Sequence, residues 1–423
     1  MPKAARPAEA ARRRHPLNPA DLLLCSAAIS AGVDIMAWDF SLTEEQRMLV
    51  DTVRQFMEQE IIPHERETER LGEVPPELGK QIQKRAVEQG LYGANMPAEA
   101  GGGGLDFLSA TLMDRELGKS TWGLVGWVGR PSEILNACQG EQRDAYLIPT
   151  VKGERKEAFA LTEPNAGSDA MGIQTRARKD GDDYVIDGSK HFISCVRRPD
   201  FVILFAVTGV DETKKGPRKR ITAFLIDCDT KGFELRRGPR PVSHRTYHNY
   251  QLSFSDCRVP ARNILGEEGR GFDHAGQWLA NTRILVAANC CGKAERALEV
   301  ASKWAATRQQ FGQTIGKFQG VSFKLADMAT ELRAADLLTM QVAWKYAAGT
   351  MTGGDAAMAK LFASEMCARV TDHAIQILGG MGLMDELPLE MLWRDARIER
   401  IWDGTSEIQR HIISRELLRP LEG

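Results

Sequence analysis

Hydrophobic periodicity switches twice along this chain, from helical to strand spacing near Phe159 and back near Phe272, and that order constrains the fold more than any single motif. From Leu42 to Ile61 apolar residues recur at Met48, Leu49, Val53, Phe56 and Met57, with Ser41 or Thr43 as a cap and Glu44 and Glu45 suited to the first turn. Pro75 and Pro76 open a second helix through Leu91, and 107–118 and 141–151 read similarly. TRARKDGDDYVIDGSKHFIS, FVILFAVTG, RITAFLIDCD and YQLSFSDCRV are then short β-rich runs, broken by turn pairs such as Asp180-Gly181 and Asp187-Gly188. After GEEGRGF (266–272) helical spacing returns in four blocks, 272–307, 317–351, 355–378 and 404–418, lengths that suit a bundle. The α, β, α order argues against a doubly wound sheet. It predicts an α+β chain: an extension over 1–37, expected to be disordered, a helical domain over 38–155, an antiparallel β-domain over 156–270 and a helical bundle over 271–423.

At 423 residues the chain is too long for one core. With 55 basic and 57 acidic side chains it has no field to gather nucleic acid or an anionic membrane, so a small molecule is the expected partner. Eight cysteines include no C-x-x-C pair and read as buried thiols of a reducing compartment. RRRHP (12–16) ahead of LLLCSAAISAGV (22–33) has the outline of a leader, but Pro16 and Pro19 interrupt the join and the apolar run is too short to span a membrane. A dispensable or misassigned extension is the preferred reading and a transit peptide the alternative. No other apolar run is long enough for a transmembrane helix.

G-x-S-x-G, H-E-x-x-H and a Rossmann G-x-G-x-x-G after a strand are absent, so common hydrolase and nicotinamide chemistries lose their footing. GGGG (101–104) reads as a flexible joint; it lacks the Lys-Ser/Thr of a phosphate-binding loop. The histidines show no ligand spacing, and no metal site is expected.

The remaining motifs occur together: ALTEPNAGSD (160–169), KHFIS (190–194), FSDCRVPARNILGEEGRGF (254–272), RQQFGQTIGKFQ (308–319), QILGGMG (376–382), WRDARI (393–398) and WDGTSEIQR (402–410). In this order they resemble the acyl-CoA dehydrogenase family, from about Trp38 to the C-terminus. The resemblance implies FAD as cofactor and a fold of N-terminal helical domain, middle β-domain and C-terminal four-helix bundle. It places Phe159, Leu161 and Thr162 along the flavin ring, Gly167 and Ser168 at the cofactor phosphates or the substrate, and Phe192 and Ser194 where the family often carries Trp and Thr. Arg308, Phe311, Gln319, Gln376, Gly379 and Gly380 would reach the FAD of a neighbouring subunit, which implies a homotetramer built from dimers. Thr405 and Glu407 fall in the cofactor motif at the last turn, and Arg283 and Gly404 beside the substrate. Each motif also has a plainer reading: TEP-Gly-Ser-Asp as a β-turn, KHFIS as an inner strand, Gly379-Gly380 as a helix C-cap, Arg283 and Arg410 as structural ion pairs.

In the family a carboxylate takes the α-proton of an acyl-CoA thioester while the β-hydride passes to flavin N5, and an electron-transfer flavoprotein collects the electrons. The usual base is a Glu before Gly-Thr; here that place holds Asp403, and the minority position on the first bundle helix holds Thr282. Asp403 therefore reads as the base of a true dehydrogenase, as the base of a nitroalkane-oxidase-like flavin oxidase, or as the mark of a non-catalytic flavin-binding member. An Asp before Gly-Thr-Ser is also a natural helix N-cap. A cytoplasmic location, or the mitochondrial matrix in a eukaryote, goes with these readings.

Overall fold

A run as continuously apolar as FVILFAV belongs to a strand covered on both faces. In the computed structural model, which describes residues 41–213 and 216–421, this run opens strand β4 (Phe201–Thr213), and Val202, Ile203, Leu204 and Phe205 are sealed from solvent. Phe201, Ile203 and Phe205 pack against Leu135, Leu147, Leu161 and Trp278. Val202, Leu204 and Ala206 face Tyr184, Ile186, Phe224 and Phe254 inside the curl of the sheet. Each such side chain contributes about 1.5–3 kcal/mol by leaving water, so this strand anchors two cores at once.

Around β4 lie β1 (Glu157–Ala160), β2 (Arg176–Asp180), β3 (Asp183–Cys195), β5 (Gly216–Asp227), β6 (Phe233–Arg237), β7 (His248–Pro260) and β8 (Ile264–Leu265), in the order β6-β7-β3-β2-β4-β5-β8 with β1 beside β4. The expected antiparallel domain needs one correction, because β1 and β2 run parallel to β4. They reach it through longer connections, and only a tight hairpin forces antiparallel pairing. Gly188, with φ +147, bulges β3 where an added Cβ would lie 2.7 Å from the Thr175 backbone.

The first third supplies helices α1 (Glu44–Phe56), α2 (Glu65–Leu71), α3 (Pro76–Glu88) and α4 (Phe107–Leu117). The expected helix over 42–61 ends early, passing into a wide π turn over Met57–Ile61 ahead of Pro63, and the one over 141–151 is a π turn over Arg143–Leu147 followed by Ile148–Val151. Pro63 and Pro149 lack the N–H that a straight α ladder requires.

The bundle contains α5 (Gly271–Thr307), α6 (Gln319–Ala347), α7 (Gly353–Leu378), α8 (Leu389–Glu399) and α9 (Ser406–Leu418). Its periodic blocks predict all of these but α8, which carries WRDARI. Ala287, Cys290, Cys291, Ala294, Ala363 and Cys367 pack together in its core, where small side chains let helices approach closely. The seven described cysteines are buried and unbridged, while Cys25 and the 1–37 extension lie outside the described residues. Among the described residues no helix is long and apolar enough to cross a membrane.

Candidate active site

Six residues, 400–405, join α8 to α9, and among them Asp403 and Gly404 both take left-handed backbone, with φ +52 and +97. Aspartate enters this region more readily than most side chains, and at Gly404 a Cβ would lie 2.7 Å from Gln409 Nε2. Thr405 caps α9 by accepting the Ile408 N–H at 3.3 Å, so the expected capping role of Asp403 is taken by its neighbour. The Asp403 carbonyl accepts from Arg283 Nε and Gln409 Nε2, each at 3.2 Å, and the Gly404 carbonyl from Lys360 Nζ at 2.8 Å and Gln409 Nε2 at 2.7 Å. Three side chains thus fix the backbone of the turn. The Asp403 carboxylate accepts no hydrogen bond among the described residues.

Burial pushes the Asp403 pKa above the ordinary aspartate value, against the pull of Lys360, Arg283 and Arg130. Burial in turn lowers the pKa of Arg283 and of Lys360, opposed in both by Asp403. Thr282, at the alternative acid position, donates to Leu279 O within its own helix at 3.2 Å. Gln409 lies within WDGTSEIQR without an expected role there, and Lys360 falls in no motif. A signal for Lys360 exists: it shares the face of α7 with Ala356, Ala357 and Ala363, where a lone lysine demands a partner.

The second functional segment leaves β1. Lys190 Nζ donates to Leu161 O at 2.9 Å and to Glu163 Oε1 at 2.8 Å, His191 N–H to Thr162 O at 2.9 Å, and Glu163 also accepts the N–H groups of Gln174 and Thr175 at 2.6 and 2.9 Å. Burial brings Lys190 down to about 8 against the opposing pull of Glu163. Burial would raise Glu163, but Lys190 and those N–H donors outweigh it and hold it low. The structure thereby brings Phe159, Leu161 and Thr162 beside the β3 stretch that carries Phe192 and Ser194. Phe159 stacks on Trp278 of α5 at 4.2 Å, tying the segment to the bundle. The surface above is open: Phe192 is 62% exposed with φ +55, Gly167 and Ser168 are exposed, and a Cβ on Gly167 would meet nothing within 4 Å. An exposed aromatic beside unobstructed backbone fits a planar cofactor carrying phosphates.

Arg308, Phe311, Gln319, Gln376, Gly379 and Gly380 are all exposed, Phe311 to 92%. Arg308 follows Arg283 by 25 residues at the end of α5, a rise of about 37 Å, so Arg308 lies far from the Asp403 turn of its own chain. Among the turn residues assigned to the cofactor, Thr405 is committed to capping and Glu407 is exposed, its pKa lowered by its own backbone N–H and Thr405.

Helical, β and helical parts in this order are the architecture that the resemblance to a class of flavoprotein oxidoreductases implies. Residues 43–154, 158–257 and 269–418 match the N-terminal, middle and C-terminal domains of acyl-CoA dehydrogenase, and the chain belongs to that family. It is 40% identical over 387 residues to an acryloyl-CoA reductase (NADH) of Anaerotignum propionicum, covering 90% of this chain and 96% of that one. The butyryl-CoA dehydrogenase structure from Megasphaera elsdenii superposes with a TM-score of 0.82 at 38% identity, over 90% of this chain and 100% of that one. An acyl-CoA dehydrogenase of Bacillus anthracis complexed with FAD gives 0.81 at 30% identity, over 90% of this chain and 69% of that one.

Proposed function

We propose that this protein catalyses α,β-dehydrogenation of an acyl-CoA thioester with Asp403 as the base. The observation that carries the reading is a carboxylate with no hydrogen-bond partner among the described residues, on a turn whose carbonyls are fixed by three side chains. A base needs a free lone pair and a fixed position, and the raised pKa gives it the affinity to take a weakly acidic α-proton. Arg283 and Lys360 counter the negative charge of the ionised state. The Asp403 N–H makes no hydrogen bond among the described residues and is available to polarise the thioester carbonyl, as the family resemblance implies.

FAD, when bound, supplies the acceptor for the β-hydride. Phe159, Leu161, Thr162, Phe192 and Ser194 would hold its ring, Gly167 and Ser168 its phosphates, with Thr405 and Glu407 at the last turn and Gly404 beside the substrate. The exposed set from Arg308 to Gly380 would serve the cofactor of a neighbouring subunit in a homotetramer, and an electron-transfer flavoprotein would take the electrons. Gly379, φ +60 with open space around its Cβ position, suits such an approach.

The test is anaerobic mixing of the yellow protein with a panel of acyl-CoAs and, separately, nitroethane, followed by flavin absorbance. Bleaching by a saturated thioester supports the proposal. Bleaching by nitroethane alone replaces it with an oxidase, and a stable colour with every candidate makes the protein a flavin holder. Asp403→Asn should keep FAD and abolish bleaching, and retained turnover would exclude Asp403 as the base.

A further inference from the structure

Directly behind the Asp403 turn four ionisable side chains from three elements meet in the dry interior. Asp395 and Glu399 come from α8, Lys293 from α5 and His244 from the loop between β6 and β7, and none is more than 2% exposed. His244 Nδ1 lies 2.9 Å from Asp395 Oδ2, and its Nε2 lies 3.3 Å from Glu399 Oε1. Lys293 Nζ is 3.7 Å from the same Glu399 oxygen, and Thr121 Oγ1 is 3.1 Å from Nδ1. The His244 backbone, itself left-handed at φ +47, donates to Asp395 Oδ1 at 2.5 Å.

Burying four such groups opposes folding unless each is paired, and apolar packing in their place is often as stable. Two of them, Glu399 and His244, contact Trp402, the residue before the proposed base. Trp402 Nε1 donates to Glu399 Oε2 at 2.8 Å, and its ring stacks on the His244 imidazole at 5.2 Å and 17°. The Trp122 ring lies edge-on to Trp402 at 6.5 Å, and the Trp122 backbone N–H donates to His244 Nδ1 at 3.2 Å. Asp403 is one methylene shorter than the glutamate usual at its position, so its reach depends on where the backbone is held, and a misplacement of about 1 Å is worth on the order of 10²-fold in rate.

We infer that His244, packed between Asp395, Glu399 and Trp402, is a positioning residue that fixes the 402–404 turn and so sets the reach of the Asp403 carboxylate. The inference rests on Asp403 being the base. It assigns the buried charges to geometry at the reacting centre, and none of them touches substrate.

The test compares wild type, His244→Phe, Trp402→Phe and Asp403→Asn as FAD-loaded proteins in stopped-flow reduction by butyryl-CoA, with thioester affinity measured separately. His244→Phe should keep FAD and thioester affinity, slow flavin reduction by about 10–100-fold, and regain most of that loss when Asp403→Glu is added. Its crystal structure should show the 402–404 turn displaced. Should His244→Phe lose FAD, Trp402→Phe leaves the charges paired and should show the same slow reduction. A reduction rate within twofold of wild type in the variant that folds, or an unmoved turn, overturns the positioning role. Retained reduction in Asp403→Asn overturns the base reading and this inference with it, whereas abolished reduction there with unchanged reduction in His244→Phe overturns the inference alone.

Discussion

Two buried charge groups underlie the two functional segments, and they are built differently. Beneath the 159–163 segment Glu163 takes one cation and two backbone N–H groups, a set with a single arrangement. Beneath the Asp403 turn two carboxylates share a lysine and a histidine, and Asp395 Oδ2 is left without a properly aligned hydrogen bond. The first resembles a rivet under a surface that has to stay flat. The second includes a histidine whose pKa its carboxylate partners raise, packed against the turn that carries the proposed base. A cofactor platform needs only rigidity, whereas a base needs placement and a matched proton affinity.

The sharpest way to separate the two is to remove one cation from each. Lys190→Met leaves Glu163 buried with no opposite charge and should destabilise the fold by about 3–5 kcal/mol, with thermal melts and FAD retention as the measurements. Lys293→Met leaves Glu399 still facing His244 and the Trp402 indole, so a smaller loss of about 1–3 kcal/mol is expected. Equal losses would mean that both groups are simple pairs.

The pH dependence is expected to differ as well. Burial alone would lower the His244 pKa, but Asp395 and Glu399 outweigh burial and the repulsion of Lys293, and the net shift is upward. Because the folded value is raised, the stability it brings is fully present below the unfolded pKa of about 6.5 and lost as pH rises through the folded value. Denaturation midpoints should therefore fall as pH rises above the unfolded value of about 6.5 in wild type, and this fall should be absent in His244→Gln. Activity should follow a different limb. With Asp403 raised, the acid limb of kcat/KM should lie above the ordinary aspartate range, near 3.9 in peptides. The smallest effect is expected from Thr405→Ala, which removes the cap of α9 for about 1 kcal/mol without touching either charge group; a larger loss of activity than of stability would extend the positioning set to the cap.

Much of the fold is legible from periodicity. α5 and α7 lie within a few residues of their blocks because a long helix repeats its signal over many turns. α8 escapes because eleven residues repeat the helical period for only about three turns, although several of its charges are buried by neighbours distant in sequence. The parallel pairing of β1 and β2 escapes because strand direction within a sheet leaves no mark on a short run.

The site divides the same way. ALTEPNAGSD, KHFIS and WDGTSEIQR identify the family and single out Asp403, because a motif is local and its order along the chain survives in the sequence itself. That Thr405 rather than Asp403 caps α9 depends on the path of the turn, which brings the Thr405 hydroxyl to the Ile408 N–H. Lys360, Gln409, His244, Lys293 and Glu399 come from separate elements, and their convergence on residues 402–404 depends on how α5, α7 and α8 pack. Sequence by itself determined the order of helical and β parts and the residue offered as base, since both are properties of neighbours in the chain. Tertiary structure alone decided what holds that residue in place and which charges bear on it, since Coulomb and hydrogen-bond energies depend on the distances between groups up to 273 residues apart in the chain, as Arg130 and Asp403 are.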